Sequence, residues 1–381
     1  MNYCQGWQRV KRNSIQSIFQ KVSENQRDKK FNSRAVRRAF EAIKGCRSGA
    51  YGKHLLSCAI GCTSEIRYHS CHHRSCPQCN ALPRERWLEE QQNRLLDCEH
   101  YHVIFTIPAE LRIFWLFHKA EVTDDLFHAA KEAIIRLCKK NVYMGALPGL
   151  LMAFHSWSRT LEVHPHLHCL VSAEGLTPAG EWKRVVRDCF LPWKLLMKTF
   201  RVLLLRRWIK RARAGGWSEA LGEGRVIEGR FKAEYRRDWH VEVCPRYRRG
   251  RGVAIYLARY MRGGPCQARQ VVEREDGQVL FYPKNGDRRV PVGCYTPERF
   301  MERYLEHVPP HRLRVVRRYG VYASCGKAVK LREESRPRPA FERKALPAWF
   351  VRPEKCCEAC GSVLVSRMWS LGPAPPTLAL G

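Results

Sequence analysis

The chain has 381 residues, with 68 lysines and arginines against 36 aspartates and glutamates, a formal net charge of +32. That imbalance favours a polyanionic partner, nucleic acid before an acidic protein or an anionic membrane. The most apolar stretch, Leu195 to Leu205, carries Lys198 and Arg201 and is too short to span a bilayer, and Met1 to Gly6 lacks the apolar run of a secretory signal. The eighteen cysteines are therefore expected in a reducing cytoplasm, where clustered thiols mark metal sites more often than disulfides.

Residues 1–45 form a basic N-terminal segment whose one helical pattern runs from Ser33 to Ile43. Six cysteines then crowd between Cys46 and Cys79, and residues 46–82 read as a zinc-binding domain. Residues 83–325 form the body of the chain. It opens with a polar, helix-prone link from Pro83 to Leu96, then a strand from Tyr101 to Ile107 that Pro108 ends. Helix follows from Asp124 to Lys140, then strands at Leu151 to Trp157 and Leu161 to Ser172. A helix from Trp193 to Ala214 stops at Gly215-Gly216, and Trp239 to Val243 is a short strand. The next helix carries Tyr256 and Tyr260 and ends at Gly263-Gly264-Pro265. Asn285-Gly286 marks a hairpin within Val279 to Asp287, and Arg299 to His307 is helical. Residues 326–381 read as a loosely ordered Pro- and Arg-rich tail with a small Cys cluster.

Tetrahedral zinc is usually held by two short knuckles. Cys76-Pro77-Gln78-Cys79 is one, and Cys58-Ala59-Ile60-Gly61-Cys62 is a looser one, so these four cysteines are the expected ligands. Cys46 and Cys71, with His54, His69, His72 or His73, are available for a second site. Cys357-Glu358-Ala359-Cys360 is half a site on its own.

His164-Pro165-His166-Leu167-His168 lies on a predicted strand, where residues two apart share a face. His166 and His168 can then point two imidazoles at one divalent ion, with Glu162 as third ligand by the same alternation. Mg²⁺ or Mn²⁺ suits phosphodiester chemistry at such a site. Tyr256 and Tyr260, one helical turn apart, present their hydroxyls on one face and are the candidate nucleophiles. A phosphotyrosine conserves the phosphodiester's energy, and a second tyrosine allows one strand end to be held while another is cut. Arg246-Tyr247-Arg248-Arg249-Gly250-Arg251 and Arg259 are placed to grip phosphates and stack an unpaired base. Arg206, Arg207, Lys210 and Arg211 offer a second basic track.

With those motifs in order, the chain resembles the HUH endonucleases, and more closely the two-tyrosine rolling-circle transposases of the IS91 type. The resemblance rests on Ser70 to Cys79, His102 to Pro108, His164 to His168, Tyr256 to Tyr260, and Val308-Pro309-Pro310 leading to Arg318-Tyr319-Gly320. It spans about Cys46 to Tyr322, and the C-terminal knuckle has a family counterpart. It implies an α+β fold, an antiparallel sheet flanked by helices behind a small zinc module. His166 and His168 would be metal ligands, and Tyr256 and Tyr260 would attack DNA. The implied activity is metal-dependent cleavage and rejoining of single-stranded DNA at insertion-sequence ends and target, in a bacterial, nucleoid-associated protein with no membrane partner. Three departures stand out: one extra residue in the first knuckle, Ser75 where histidine is expected, and Arg159 where glutamine is expected. The rivals are a plasmid replication initiator or relaxase, which shares the chemistry, and a non-catalytic zinc-dependent DNA-binding protein.

Overall fold

A computed structural model describes residues 15–22, 33–92, 94–186, 190–247, 264–283, 290–325 and 356–367. The chain opens with two helices, α1 (Ile15–Lys21) and α2 (Arg34–Gly45). α1 is a helix the sequence reading did not expect. It is too short to stand alone and forms because Ile15, Ile18 and Phe19 are completely buried against α2 and the helix α8 (Pro297–Glu306). Phe19 stacks on Phe40 and meets Tyr304 of α8 edge-on, with centroids 5.8 and 5.5 Å apart.

Strands β1 (Lys53–Cys58) and β2 (Ser64–Tyr68) then make a hairpin, and α3 (Ala81–Gln92) leads into the body of the molecule. The body is built on an antiparallel sheet of β3 (His100–Thr106), β4 (Leu147–Trp157), β5 (Val163–Leu176), β6 (Trp182–Arg184), β7 (Val241–Val243) and β11 (Val316–Gly320). Its order is β11-β4-β5-β3-β7, with β6 on the far end of β5. Alternation sends Val103, Phe105, Leu150, Met152, Phe154, Leu167, Cys169 and Val171 into one large core. That face is covered by α4 (Arg112–Phe117), α5 (Lys119–Cys138), α6 (Trp193–Arg213) and α7 (Gly224–Ala233). Asp125 of α5 is buried; it accepts a hydrogen bond from Arg207 at 2.7 Å and forms an ion pair with Arg211 at 2.9 Å. Two of the four residues expected to form a basic track on α6 therefore tie it to α5.

The opposite face is thinner. Leu151, Ala153 and Leu170 pack with Tyr322, and Trp87, Leu95 and Leu96 close over them. The ring of Tyr322 lies so near Gly149 that a Cβ there would sit 2.8 Å from it. Its hydroxyl meets His100 Nε2 at 2.5 Å.

A small sheet of β8 (Val271–Glu273), β9 (Val279–Phe281) and β10 (Gly293–Tyr295) packs with α1, α2 and α8 around a second core that contains Cys46, Cys71, Cys76 and Cys79. β9 fulfils half of the expected hairpin; its Asn285-Gly286 turn lies outside the described residues. The last described strand, β12 (Leu364–Arg367), pairs with β1 to give a ribbon of order β12-β1-β2. The chain is thus α+β, with antiparallel sheets throughout the described residues. Among these residues no helix is long and apolar enough to cross a membrane.

Candidate metal centre

β5 runs down the middle of the large sheet, so both neighbours can present side chains beside its histidines. In register, His166 faces Thr106 on β3 and His155 on β4, while His168 faces Ile104 and Ala153. His155, His166 and His168 consequently gather on one face, with one ring nitrogen from each within 4.8 Å of the others. A bulge between His155 and Trp157 ends the regular pairing at that point, the kind of irregularity that re-aims a side chain. It is held from outside. Ser156 Oγ donates to His307 Nδ1 at 3.2 Å, and His307 Nε2 donates to the Leu161 carbonyl at 3.1 Å.

The three-histidine group corrects the expectation for Glu162. Alternation from His164 back to Glu162 fails because the strand begins at Val163 and Leu161 turns at φ 59°. Glu162 is exposed in that turn, and its N–H donates to Ser158 Oγ at 3.2 Å. His155 comes from the preceding strand instead, at a place visible only once the β4–β5 hairpin is in register.

The imidazoles are chemically prepared to bind a cation. Burial lowers His166 to about 4 and His168 well below its usual value, so both rings are neutral at pH 7. His166 Nδ1 donates to the His164 carbonyl at 2.6 Å, which leaves Nε2 as its ligand atom. His168 Nδ1 is 2.9 Å from His102 Nε2, which likewise leaves Nε2 for an ion. Two neutral imidazoles whose Nδ1 atoms are already engaged, His166 and His168, fit a divalent metal through Nε2.

This group opens onto a cavity of about 690 Å³. Thr106, Arg159 and His164 line it from the sheet side, Asn80 from the cysteine module and Arg84 from α3. Gly264 to Gln267 form another wall. Tyr256 and Tyr260 lie outside the described residues, as do Arg248, Arg249, Arg251 and Arg259. The chain that carries the tyrosines nevertheless re-enters at this cavity, four residues after Tyr260. Gly264 is pinned there with φ 76°, and a Cβ on it would fall 1.8 Å from Tyr304 Oη and 3.0 Å from the Ser75 carbonyl. Only glycine fits that approach. Arg246 and Tyr247 mark the other end of the same segment. Tyr247 bridges His100, at the end of β3 away from the histidine group, and Arg246 pairs with Glu99 at 3.3 Å.

The cysteines sort differently from their sequence neighbours. Cys46, Cys71, Cys76 and Cys79 converge, all buried, with thiols within 4.8 Å and Cys71 and Cys79 3.7 Å apart. Zn–S bonds of about 2.3 Å in a tetrahedron put sulfurs about 3.8 Å apart, so this set fits a structural zinc ion. Cys58 and Cys62 do not join Cys76 and Cys79, because the extended β1–β2 hairpin carries them to its far tip. They lie instead with Cys357 and Cys360. His54 and His69 bond each other at 3.1 Å. Ser75, at the position expected for histidine, completes no ligand set; its carbonyl accepts from Tyr304 Oη at 2.8 Å. Asn80 Nδ2 donates to the carbonyls of His73 and Cys76, both at 2.7 Å, so the knuckle that ends at Cys79 forms part of the cavity wall.

Comparison with known proteins agrees with this combination of a cysteine module and a histidine-bearing sheet. The family described as "Transposase zinc-binding domain" matches residues 18–107, and the family described as "Putative transposase" matches residues 149–329. The chain is 32% identical over 328 residues to "Putative transposase y4qJ" of Sinorhizobium fredii, covering 83% of this chain and 82% of that protein. It is 26% identical over 304 residues to "Transposase for insertion sequence element IS801" of Pseudomonas savastanoi pv. phaseolicola, covering 74% and 69%. The class is that of DNA transposases with an N-terminal zinc-binding domain. Within it, the chain belongs to the IS91-type family.

Proposed function

We propose that this transposase cuts and rejoins single-stranded DNA through 5′-phosphotyrosine intermediates on Tyr256 and Tyr260, moving its element by a rolling-circle route. The observation that carries the reading is the cavity of His155, His166 and His168, one wall of which begins four residues after Tyr260. In the cleavage step a tyrosine Oη attacks phosphorus as the bond from phosphorus to the 3′ oxygen breaks. The tyrosine proton is lost, and the 3′ oxygen leaves as a hydroxyl once protonated. In rejoining, a 3′ hydroxyl attacks the phosphotyrosine and the phenol is released. One phosphodiester is exchanged for another, so no nucleotide cofactor is consumed.

Each part of the site has a task in this scheme. His155, His166 and His168 would hold Mg²⁺ or Mn²⁺, which when bound supplies positive charge to the oxygens of the scissile phosphate. Arg84 and Arg159, both lining the cavity, attract the flanking phosphates. Tyr247, 39% exposed, offers a ring on which an unpaired base can stack. The net charge of +32 draws DNA in at long range.

The test is a denaturing gel of purified protein with labelled single-stranded oligonucleotides from the element's ends, with Mn²⁺ or EDTA. A metal-dependent covalent adduct that disappears in Tyr256→Phe plus Tyr260→Phe is the expected result. Tight binding with no adduct on any end sequence would refute it in favour of a non-catalytic zinc protein.

A further inference from the structure

We propose a second structural zinc site in which two cysteine knuckles from opposite ends of the chain, Cys58 with Cys62 and Cys357 with Cys360, share one ion. The thiols of all four lie within 4.8 Å of one another. Cys58 Sγ is 3.4 Å from Cys360 Sγ, across 302 residues of sequence. That is far longer than a disulfide bond of about 2 Å and near the sulfur–sulfur edge of a tetrathiolate zinc centre.

The backbone builds the two halves alike. In the first knuckle the Gly61 N–H donates to the Cys58 carbonyl at 3.0 Å, and the Cys58 N–H to the Thr63 carbonyl at 2.9 Å. In the second, the Gly361 N–H donates to the Cys357 carbonyl and the Cys357 N–H to the Ser362 carbonyl, both at 2.8 Å. Gly61 and Gly361 occupy the same left-handed region, at φ 81° and 73°. The register of β12 on β1 sets Leu364 opposite Cys58, which brings the second knuckle over the first.

Among the described residues the tip of the ribbon has little apolar cover to hold it together. Three short strands rarely persist in water without a buried face. Here Ile60, Ile66 and Val365 are about half or more exposed, and Cys58 and Cys357 are among the few buried residues at the ribbon's tip. Soft thiolates in a tetrahedral set select zinc, and the ion would supply the cohesion that a hydrophobic core supplies elsewhere. Because Cys62 and Cys360 are exposed, this ion is the more accessible of the two; the other is enclosed by four buried cysteines.

Metal analysis of the full-length protein, purified under reducing conditions, gives the first test. Two zinc ions per chain are expected, falling to one in Cys357→Ser plus Cys360→Ser. One ion in the wild type, two retained in the variant, or iron in place of zinc would each overturn the proposal. The second test needs no variant. Wild-type protein is alkylated during graded chelator treatment, and modified cysteines are mapped by mass spectrometry, with exposed Cys325 as reference. Cys62, Cys357 and Cys360 should resist alkylation until chelator is added, then react together before Cys46, Cys71, Cys76 and Cys79. Reaction of Cys357 and Cys360 as fast as Cys325 without chelator would overturn it.

Discussion

His102 Nε2 stands 2.9 Å from His168 Nδ1, on the neighbouring strand and the same face of the sheet. For His168 Nε2 to serve as a ligand its proton must sit on Nδ1, so His168 donates and His102 accepts. The His102 proton then sits on Nδ1, 3.7 Å from Cys244 Sγ. If His155, His166 and His168 hold an ion as proposed, His102 would fix the orientation and tautomer of His168 from outside that group.

Replacing His102 by Leu should weaken Mn²⁺ binding by about 10- to 100-fold, the range seen when such supporting partners are removed. Gln, which keeps an acceptor, should recover part of the loss. Titration of Mn²⁺ followed by electron paramagnetic resonance checks this apart from cleavage. Unchanged affinity in His102→Leu would rule out the supporting role.

Ser156→Ala removes the hydroxyl that holds the β4 bulge to His307. A buried imidazole nitrogen loses its donor, at a cost of about 1–3 kcal/mol in urea unfolding. Adduct formation should fall tenfold or more, since His155 is then free to turn away, while zinc content stays unchanged. Equal loss of adduct and zinc would show general misfolding instead.

Gly264→Ala tests whether the end of the tyrosine segment must approach Ser75 and Tyr304. The clash and the left-handed backbone together should cost about 2–4 kcal/mol and reduce adduct yield sharply. Gly180→Ala is the control: it has φ 88° but no atom within 4 Å of an added Cβ. It should cost about 1 kcal/mol and leave the adduct yield unchanged. Equal effects at both glycines would remove the close approach as a cause.

Stability should fall as the solution is acidified below neutrality. Burial lowers His100 to about 4 and His307 to about 3, from 6.5. Below 6.5 the unfolded chain takes up protons at these rings while the folded chain does not. The stability present above 6.5 is therefore lost progressively as pH falls toward those lower values. Urea midpoints measured from pH 7.5 to 5 should decline, and the decline should be shallower in His307→Gln. A flat profile would mean that both rings titrate normally in the fold.

Much of the sheet was readable from alternation alone. Tyr101 to Ile107 and Leu151 to Trp157 fall on β3 and β4, and His166 and His168 share a face as spacing requires. What spacing could not supply was pairing across strands. His155 sits opposite His166 only because the chain reverses tightly between Trp157 and Val163. A hairpin register worked out from that turn would have found it, whereas alternation carried past Leu161 led to Glu162. The cysteines failed for a related reason. Proximity in sequence suggested Cys58 and Cys62 with Cys76 and Cys79, but an extended hairpin separates its tip from its base, and the partners at the tip come from the other end of the chain. Helix α1 has no signal strong enough by itself, since the cover for its three buried residues comes largely from α2 and α8.

The pairing of β12 with β1 has a consequence for synthesis. A ribosome finishes β1 and β2 early, yet the third strand of that ribbon emerges only after the whole DNA-handling body has been made. The nascent protein must therefore keep an open sheet edge beside β1 until residues 364–367 have been made. An element copy with a premature stop between residues 325 and 356 would keep its histidines and tyrosines and still leave that edge bare.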